Sequence, residues 1–148
     1  MTLSEAASIG LLRRPGSDVV VCLDDEPEIL SALTREFRNE PFEVLTTASP
    51  EKAFEWVESL DVGVVLSDQR MPGMLGTEFL LEVRKRSPLT RRVILTGYPW
   101  STLQAPEAMQ SVQGLVRKPW AADSLRRMIR RLLRERELPG TGGDGRPA

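Results

Sequence analysis

Four short apolar runs in this sequence end in side chains that could act together on a phosphoryl group. Val19 to Leu23 leads into the adjacent acids Asp24 and Asp25, Val62 to Ser67 into Asp68, Arg92 to Leu95 into Thr96, and Gly114 to Arg117 into Lys118. Three carboxylates brought close repel one another, and the ordinary way to hold them is a hard divalent cation with oxygen ligands. Magnesium is the natural choice, because it neutralises the acids and draws in a phosphoryl group. A carboxylate in such a site can attack phosphorus to form an aspartyl phosphate, and Asp68 is assigned that role. Lys118 would pair with one phosphoryl oxygen as a compact point charge, and the Thr96 hydroxyl would donate to another.

Each residue alone has a plainer reading. Asp24 or Asp25 could cap a helix starting near Pro27. Asp68 before QRMPGMLG could belong to a turn, Thr96 to ordinary strand-end chemistry, and Lys118 to the surface. Their joint occurrence at successive strand ends favours the site, because ligands of an open parallel sheet bind beyond the carboxyl ends of its strands.

The elements that must position these residues are legible as alternation of β-branched runs with helical spacing, the pattern of a parallel α/β domain. Strands are expected at Val19 to Leu23, Phe42 to Thr46, Val62 to Ser67, Arg92 to Thr96 and Gly114 to Arg117. The first, third and fourth are nearly continuously apolar, as strands covered on both faces should be. Ile29, Leu33 and Phe37 mark a first helix, and Ala53, Phe54, Val57 and Leu60 a second that starts at Ser49-Pro50. A third runs from about Thr77 to Arg86 and stops before Pro88. A fourth would be short, because Pro99 and Pro106 interrupt it. The fifth, ADSLRRMIRRLLRERE, sets Leu125, Met128, Ile129, Leu132 and Leu133 on one face, with arginines mostly around the other. A solvated arginine face is favoured over a docking or nucleic-acid surface, since no aromatic residues interleave with it.

The 148 residues, 41% hydrophobic and 28% charged, suit one globular domain with a real core. Lys plus Arg number 20 against 21 acids, which gives no whole-chain electrostatic case for nucleic acid or membrane. Cys22, the single cysteine, lies in an apolar run and reads as a buried inert thiol; with no disulfide framework, a reducing compartment is expected. Residues 1–17 are expected to form a flexible leader, with Glu5 before and Arg13 and Arg14 after a short apolar stretch, the reverse of a secretory signal. No apolar run approaches the roughly 20 residues of a membrane span, so a cytoplasmic location is expected. Residues 138–148, PGTGGDGRPA after Leu138, read as a disordered tail or linker, leaving 18–137 as the domain. The chain has no histidine, so it is neither a histidine kinase nor a histidine phosphotransfer protein.

Over about Asp18 to Arg136 the chain resembles the receiver domain of bacterial two-component response regulators. The carriers are VVVCLDDEPEIL, VVLSDQRMPGMLGTEFL, VILTGY and LVRKPW. SDQRMPGM with LTGY and KPW is most similar to receivers of hydrogenase-type transcriptional regulators and of cyclic-di-GMP phosphodiesterase regulators. The resemblance implies a flavodoxin-like (βα)5 fold: a five-stranded parallel sheet in order 2-1-3-4-5 with helices on both faces. It makes Asp68 the phosphorylated residue, Asp25 and Asp68 direct metal ligands, Asp24 a water-mediated one, and the Arg70 backbone carbonyl a further ligand to Mg2+. It makes Thr96 the switch hydroxyl, Lys118 the phosphate-pairing lysine, and the bond before Pro119 cis.

The implied partner is a histidine kinase, and homodimerisation through the face of the fourth helix, fifth strand and fifth helix is within the family's range. The downstream output stays open, and neither direct nucleic-acid contact nor membrane contact is expected. The domain is expected to be a signalling module with self-catalysed phosphotransfer and slow hydrolysis, not a metabolic enzyme. Two positions depart from the pattern. Leu115 stands where a Tyr or Phe usually turns inward on activation, and Leu75 where a polar residue is common before the glycine at Gly76. Leu115 and the interrupted fourth helix leave room for a phosphorylation-independent scaffold of the same fold. An aspartyl-phosphate phosphatase needs a second acid two residues after its nucleophile, and Arg70 stands there.

Overall fold

The apolar runs pair side by side, all in parallel register. Val19–Leu23 (β1) lies between Glu43–Thr47 (β2) and Val62–Asp68 (β3); Arg91–Thr96 (β4) follows β3, and Gly114–Arg117 (β5) forms the far edge. This is a computed structural model, and it describes residues 18–98 and 110–137. The order β2-β1-β3-β4-β5 is the one expected; two further two-residue strands, Arg70–Met71 and Met74–Leu75, pair only with each other as an antiparallel hairpin. β1 and β3 are buried along their whole length, whereas the edge strand β2 is half-buried throughout, which is why only the interior strands read as unbroken apolar runs.

Pleating sorts the core into two layers. One face of the sheet presents Val20, Cys22, Val64, Leu66, Val93 and Leu95. Against it pack Leu33 of Pro27–Glu36 (α1) and Leu125, Ile129 and Leu132 of Ala122–Glu137 (α4). The opposite face presents Val19, Val21, Leu23, Val65 and Ile94 to Ala53, Trp56 and Val57 of Pro50–Ser59 (α2) and to Phe79, Leu80 and Val83 of Gly76–Arg86 (α3). Each such side chain contributes roughly 1.5–3 kcal/mol by leaving water, so two filled layers hold the strand ends in register.

Boundaries differ from expectation by single residues, each for a local reason. Phe42 stays outside β2 because its ring packs edge-on against Phe37, 5.3 Å between centroids, in the turn before the strand. β3 extends one residue to include Asp68, whose Cα partner on β4 is Leu95. Ser49 caps α2 as expected, its hydroxyl accepting the Lys52 amide at 3.1 Å. The expected fourth helix, the leader 1–17 and the tail 138–148 lie outside the described residues.

The arginines of α4 divide into two groups. Arg126 bonds Glu36 at the end of α1, Arg130 grips Glu40 with two bonds of 2.5 and 2.6 Å, and Arg136 bonds Asp61 ahead of β3. These pairs tie α4 to its neighbours, while Arg127, Arg131 and Arg134 remain exposed. No helix among the described residues is long and apolar enough to cross a membrane.

Cys22 sits in the middle of β1, fully buried, and its thiol is pushed up to about 12 by burial and then by the charge of Asp24. The thiolate is the reactive form, so a disulfide reagent such as Ellman's is expected to leave the folded protein unlabelled and to titrate one thiol after denaturation. Rapid labelling without denaturant would show that β1 opens in the native state.

Candidate functional site

The first and third strands deliver their acids to one place. Asp24 follows β1 and is buried, Asp25 beside it is exposed, and Asp68 closes β3 with 6% of its surface accessible. Carboxylate oxygens of Asp24, Asp25 and Asp68 lie within 4.8 Å of one another. Asp24 is turned inward by its own loop, since its Oδ1 accepts the Glu26 amide at 2.9 Å. It therefore shapes the entry to α1 without being the cap residue of that helix, which is Glu26.

Lys118 reaches into this cluster. Its Nζ donates to Asp24 Oδ2 at 2.7 Å and to Asp68 Oδ1 at 3.2 Å, and lies 3.5 Å from Glu26 Oε1. The lysine is fixed by the end of β5, where its amide donates to the Thr96 carbonyl at 2.8 Å, and the peptide bond to Pro119 is cis. Burial, and next the charge of Asp24, raise the carboxyl of Asp68 above the ordinary range, with Lys118 pulling the other way. Burial alone would lower Lys118, but its bond to Asp24 and the charges of Asp24 and Asp68 outweigh it, so its proton is held more tightly than usual. Three carboxylates gathered around one ammonium give the pocket more negative charge than the lysine balances. Hard oxygen donors at this spacing, one exposed and two buried, fit a divalent cation such as magnesium.

The backbone around Asp68 is clamped by the start of α3. The Gly76 amide donates to the Gln69 carbonyl at 2.8 Å, and a Cβ at Gly76 would stand only 2.1 Å from the Asp68 carbonyl oxygen. Gln69 and Thr77, both buried, bond each other twice: the Thr77 amide to Gln69 Oε1 at 2.9 Å and Gln69 Nε2 to Thr77 Oγ1 at 3.2 Å. Glu78 reaches back to the Leu75 amide at 2.8 Å, and Gly73, with φ +81°, supplies the left-handed turn of the hairpin between them. Of these residues around Asp68 the sequence expectations touched only Leu75, Gly76 and Thr77, and none as part of this clamp. The glycine pair in PGMLG was the available signal, since Gly marks both a positive φ and a close backbone approach.

Thr96 ends β4, beside the end of β3, and its Oγ1 accepts the Tyr98 amide at 3.1 Å. Arg70, two residues past Asp68, lays its guanidinium over the Tyr98 ring, 4.3 Å from the centroid. Leu115 pairs with Ile94 across β4 and β5 and packs half-buried on the second core layer. The sequence expectations thus meet in one place for Asp24, Asp25, Asp68 and Lys118, with Thr96 alongside. Glu26 near Lys118 and the Arg70–Tyr98 stack were not anticipated.

Comparison with known proteins agrees with this geometry. The family model for the response regulator receiver domain matches residues 20–130. The chain is 37% identical over 122 residues to the hydrogenase transcriptional regulatory protein HoxA of Cupriavidus necator, covering 82% of this chain and 25% of that protein. It is 29% identical to the C4-dicarboxylate transport transcriptional regulatory protein DctD of Rhizobium meliloti, covering 80% and 26%. The chain spans about a quarter of the length of these curated relatives. Among solved structures, a CheY-like receiver domain of Methanospirillum hungatei shares the fold at TM-score 0.75 and 24% identity, covering 82% of this chain and 98% of that one. The response regulator TrrA of Thermotoga maritima, solved in complex with Mg(2+)-BeF, matches at TM-score 0.69 and 28% identity, covering 78% and 98%.

Proposed function

Since the chain belongs to the response regulator receiver domain family, we propose that Asp68 is its phosphoacceptor, in a magnesium site formed by Asp24, Asp25, Asp68 and the Arg70 backbone carbonyl. The observation that carries this reading is Lys118 Nζ lying within hydrogen-bonding distance of both Asp24 and Asp68, inside a carboxylate cluster spanning 4.8 Å. Bound magnesium would supply charge neutralisation and a template for the phosphoryl oxygens. An Asp68 carboxylate oxygen then attacks phosphorus of a phosphohistidine on the partner kinase. The P–N bond breaks as the P–O bond forms, and the imidazole leaves with a proton. Lys118 exchanges part of its hold on Asp24 and Asp68 for a phosphoryl oxygen, and the Thr96 hydroxyl donates to another. Residues 18–137 form the receiver, a cytoplasmic signalling module whose own chemistry is phosphotransfer and slow hydrolysis. Dimerisation through β5 and α4, with the segment before β5, is one way to pass the signal on.

Intact mass after incubation with magnesium and acetyl phosphate tests the assignment. Wild type is expected to gain one phosphate, to gain none when the metal is chelated before acetyl phosphate is added, and Asp68→Ala to gain none in either case. An adduct that persists in Asp68→Ala would move the acceptor elsewhere. A folded wild type that never forms one would favour a phosphorylation-independent scaffold.

A further inference from the structure

We propose that the Arg70–Tyr98 stack is the element through which this receiver registers the state of Asp68, in place of the ring that Leu115 does not provide. The inference rests on Asp68 being the phosphoacceptor. It begins from what Leu115 does: half-buried against Ile94 and its layer, it has no ring that could change from an exposed to a buried position. The ring nearest in the chain to the switch hydroxyl is Tyr98, and it is exposed at 46%.

Both ends of the stack are tethered to site residues. Tyr98 lies two residues beyond Thr96 and its amide is bonded to the Thr96 hydroxyl at 3.1 Å. Arg70 lies two residues beyond Asp68, at the first position of the hairpin that Gly76 and Gln69 clamp to the end of β3. The 4.3 Å stack therefore bridges the ends of β3 and β4 by two equal, short tethers. When the Thr96 hydroxyl turns toward a phosphoryl oxygen on Asp68, the Tyr98 amide follows or loses its acceptor, and either movement displaces the ring relative to Arg70. The guanidinium is also drawn toward the added negative charge, since it has no carboxylate bonded to it among the described residues. Stacked and released are thus two discrete arrangements, and the phosphoryl group favours the second.

Tyr98 is the only tyrosine of the chain, which makes the test direct. Biosynthetic 3-fluorotyrosine gives one fluorine resonance, recorded in the full chain with magnesium, before and after excess acetyl phosphate, with intact mass measured on the same samples. Wild type is expected to shift as the adduct forms. Arg70→Ala is expected to start near the shifted position and to move by less than half as much at equal adduct occupancy. Tyr98→Phe, which keeps a ring but removes the label site, should give no resonance and so fixes the assignment. A wild-type sample that carries the adduct with an unmoved resonance would overturn the inference while leaving Asp68 as acceptor. So would an unphosphorylated Arg70→Ala sample whose resonance coincides with wild type. Failure of any adduct to form would instead remove the Asp68 reading, and the inference with it.

Discussion

Lys118→Met is expected to slow formation of the phosphate adduct by roughly two to three powers of ten, the usual effect of removing one preorganised donor from a site where negative charge develops. The reason lies in the two bonds its ammonium makes, at 2.7 Å to Asp24 and 3.2 Å to Asp68. Methionine fills the volume of the stem but leaves the two acids facing each other. Stopped-flow or quenched mass measurements with acetyl phosphate at saturating magnesium read this loss directly.

The same substitution should lower stability, and the sign with pH follows from Asp68. Breaking a buried pair from one side costs roughly 3–5 kcal/mol, but the lysine side chain is 12% exposed, so about 2 kcal/mol is the reasonable expectation without magnesium. Asp68 already has a raised carboxyl, and losing Lys118 raises it further. A carboxyl raised in the folded state binds its proton more tightly there than in the unfolded chain. The deficit is therefore largest at neutral pH, where both forms are ionised, and shrinks as the pH falls through the folded value. Thermal melts of both proteins in magnesium-free buffer at neutral and mildly acidic pH measure it. Identical melting and identical phosphorylation would make Lys118 an ordinary surface lysine.

Much of the site was legible because its residues sit where strand periodicity ends. Asp24, Asp68, Thr96 and Lys118 each follow a run whose burial is written in Val, Ile and Leu, and parallel strands bring such ends together whatever the intervening helices do. Cys22 was legible for the same reason. The residues that hold the site in shape were less so. Gln69 and Thr77 are polar, and nothing in their spacing says that they bond each other across the entry to α3. Glu26 follows the acidic pair and drew no expectation of its own, yet its side chain lies 3.5 Å from Lys118 and its amide is bonded to Asp24. The arginines of α4 looked uniform along the sequence, and only packing separates Arg126, Arg130 and Arg136, bonded to Glu36, Glu40 and Asp61 on other parts of the fold, from Arg127, Arg131 and Arg134. Contacts between side chains distant in sequence leave no periodic trace, so they appear first in the structure.

Gly76→Ala is expected to be the most damaging single-methyl change in the described fold. Helix propensity argues the other way, since alanine is favoured over glycine inside a helix by roughly 1 kcal/mol. The added Cβ, however, would stand 2.1 Å from the Asp68 carbonyl oxygen and 2.9 Å from its carbon. Those are backbone atoms of β3, held in the ladder to β4, and they cannot yield as the end of a flexible side chain does. Relief requires the start of α3 to move off the strand, which breaks the Gly76–Gln69 bond and loosens Gln69 from Thr77. Overpacking of this kind costs roughly 1–3 kcal/mol, and the lost bonds bring the expected loss to about 3 kcal/mol, a fall in Tm on the order of 10 °C. Gly97→Ala is the matched control, because nothing lies within 4 Å of its added Cβ, and its Tm should stay within a few degrees of wild type. Phosphorylation separates strain from simple loss of fold: below its melting range Gly76→Ala should still form adduct more slowly than Gly97→Ala, because Asp68 is displaced in a chain that remains folded. Equal melting of the two variants would mean that α3 can back away from β3 freely, and that the close approach of Gly76 to Asp68 does not set the position of the carboxylate.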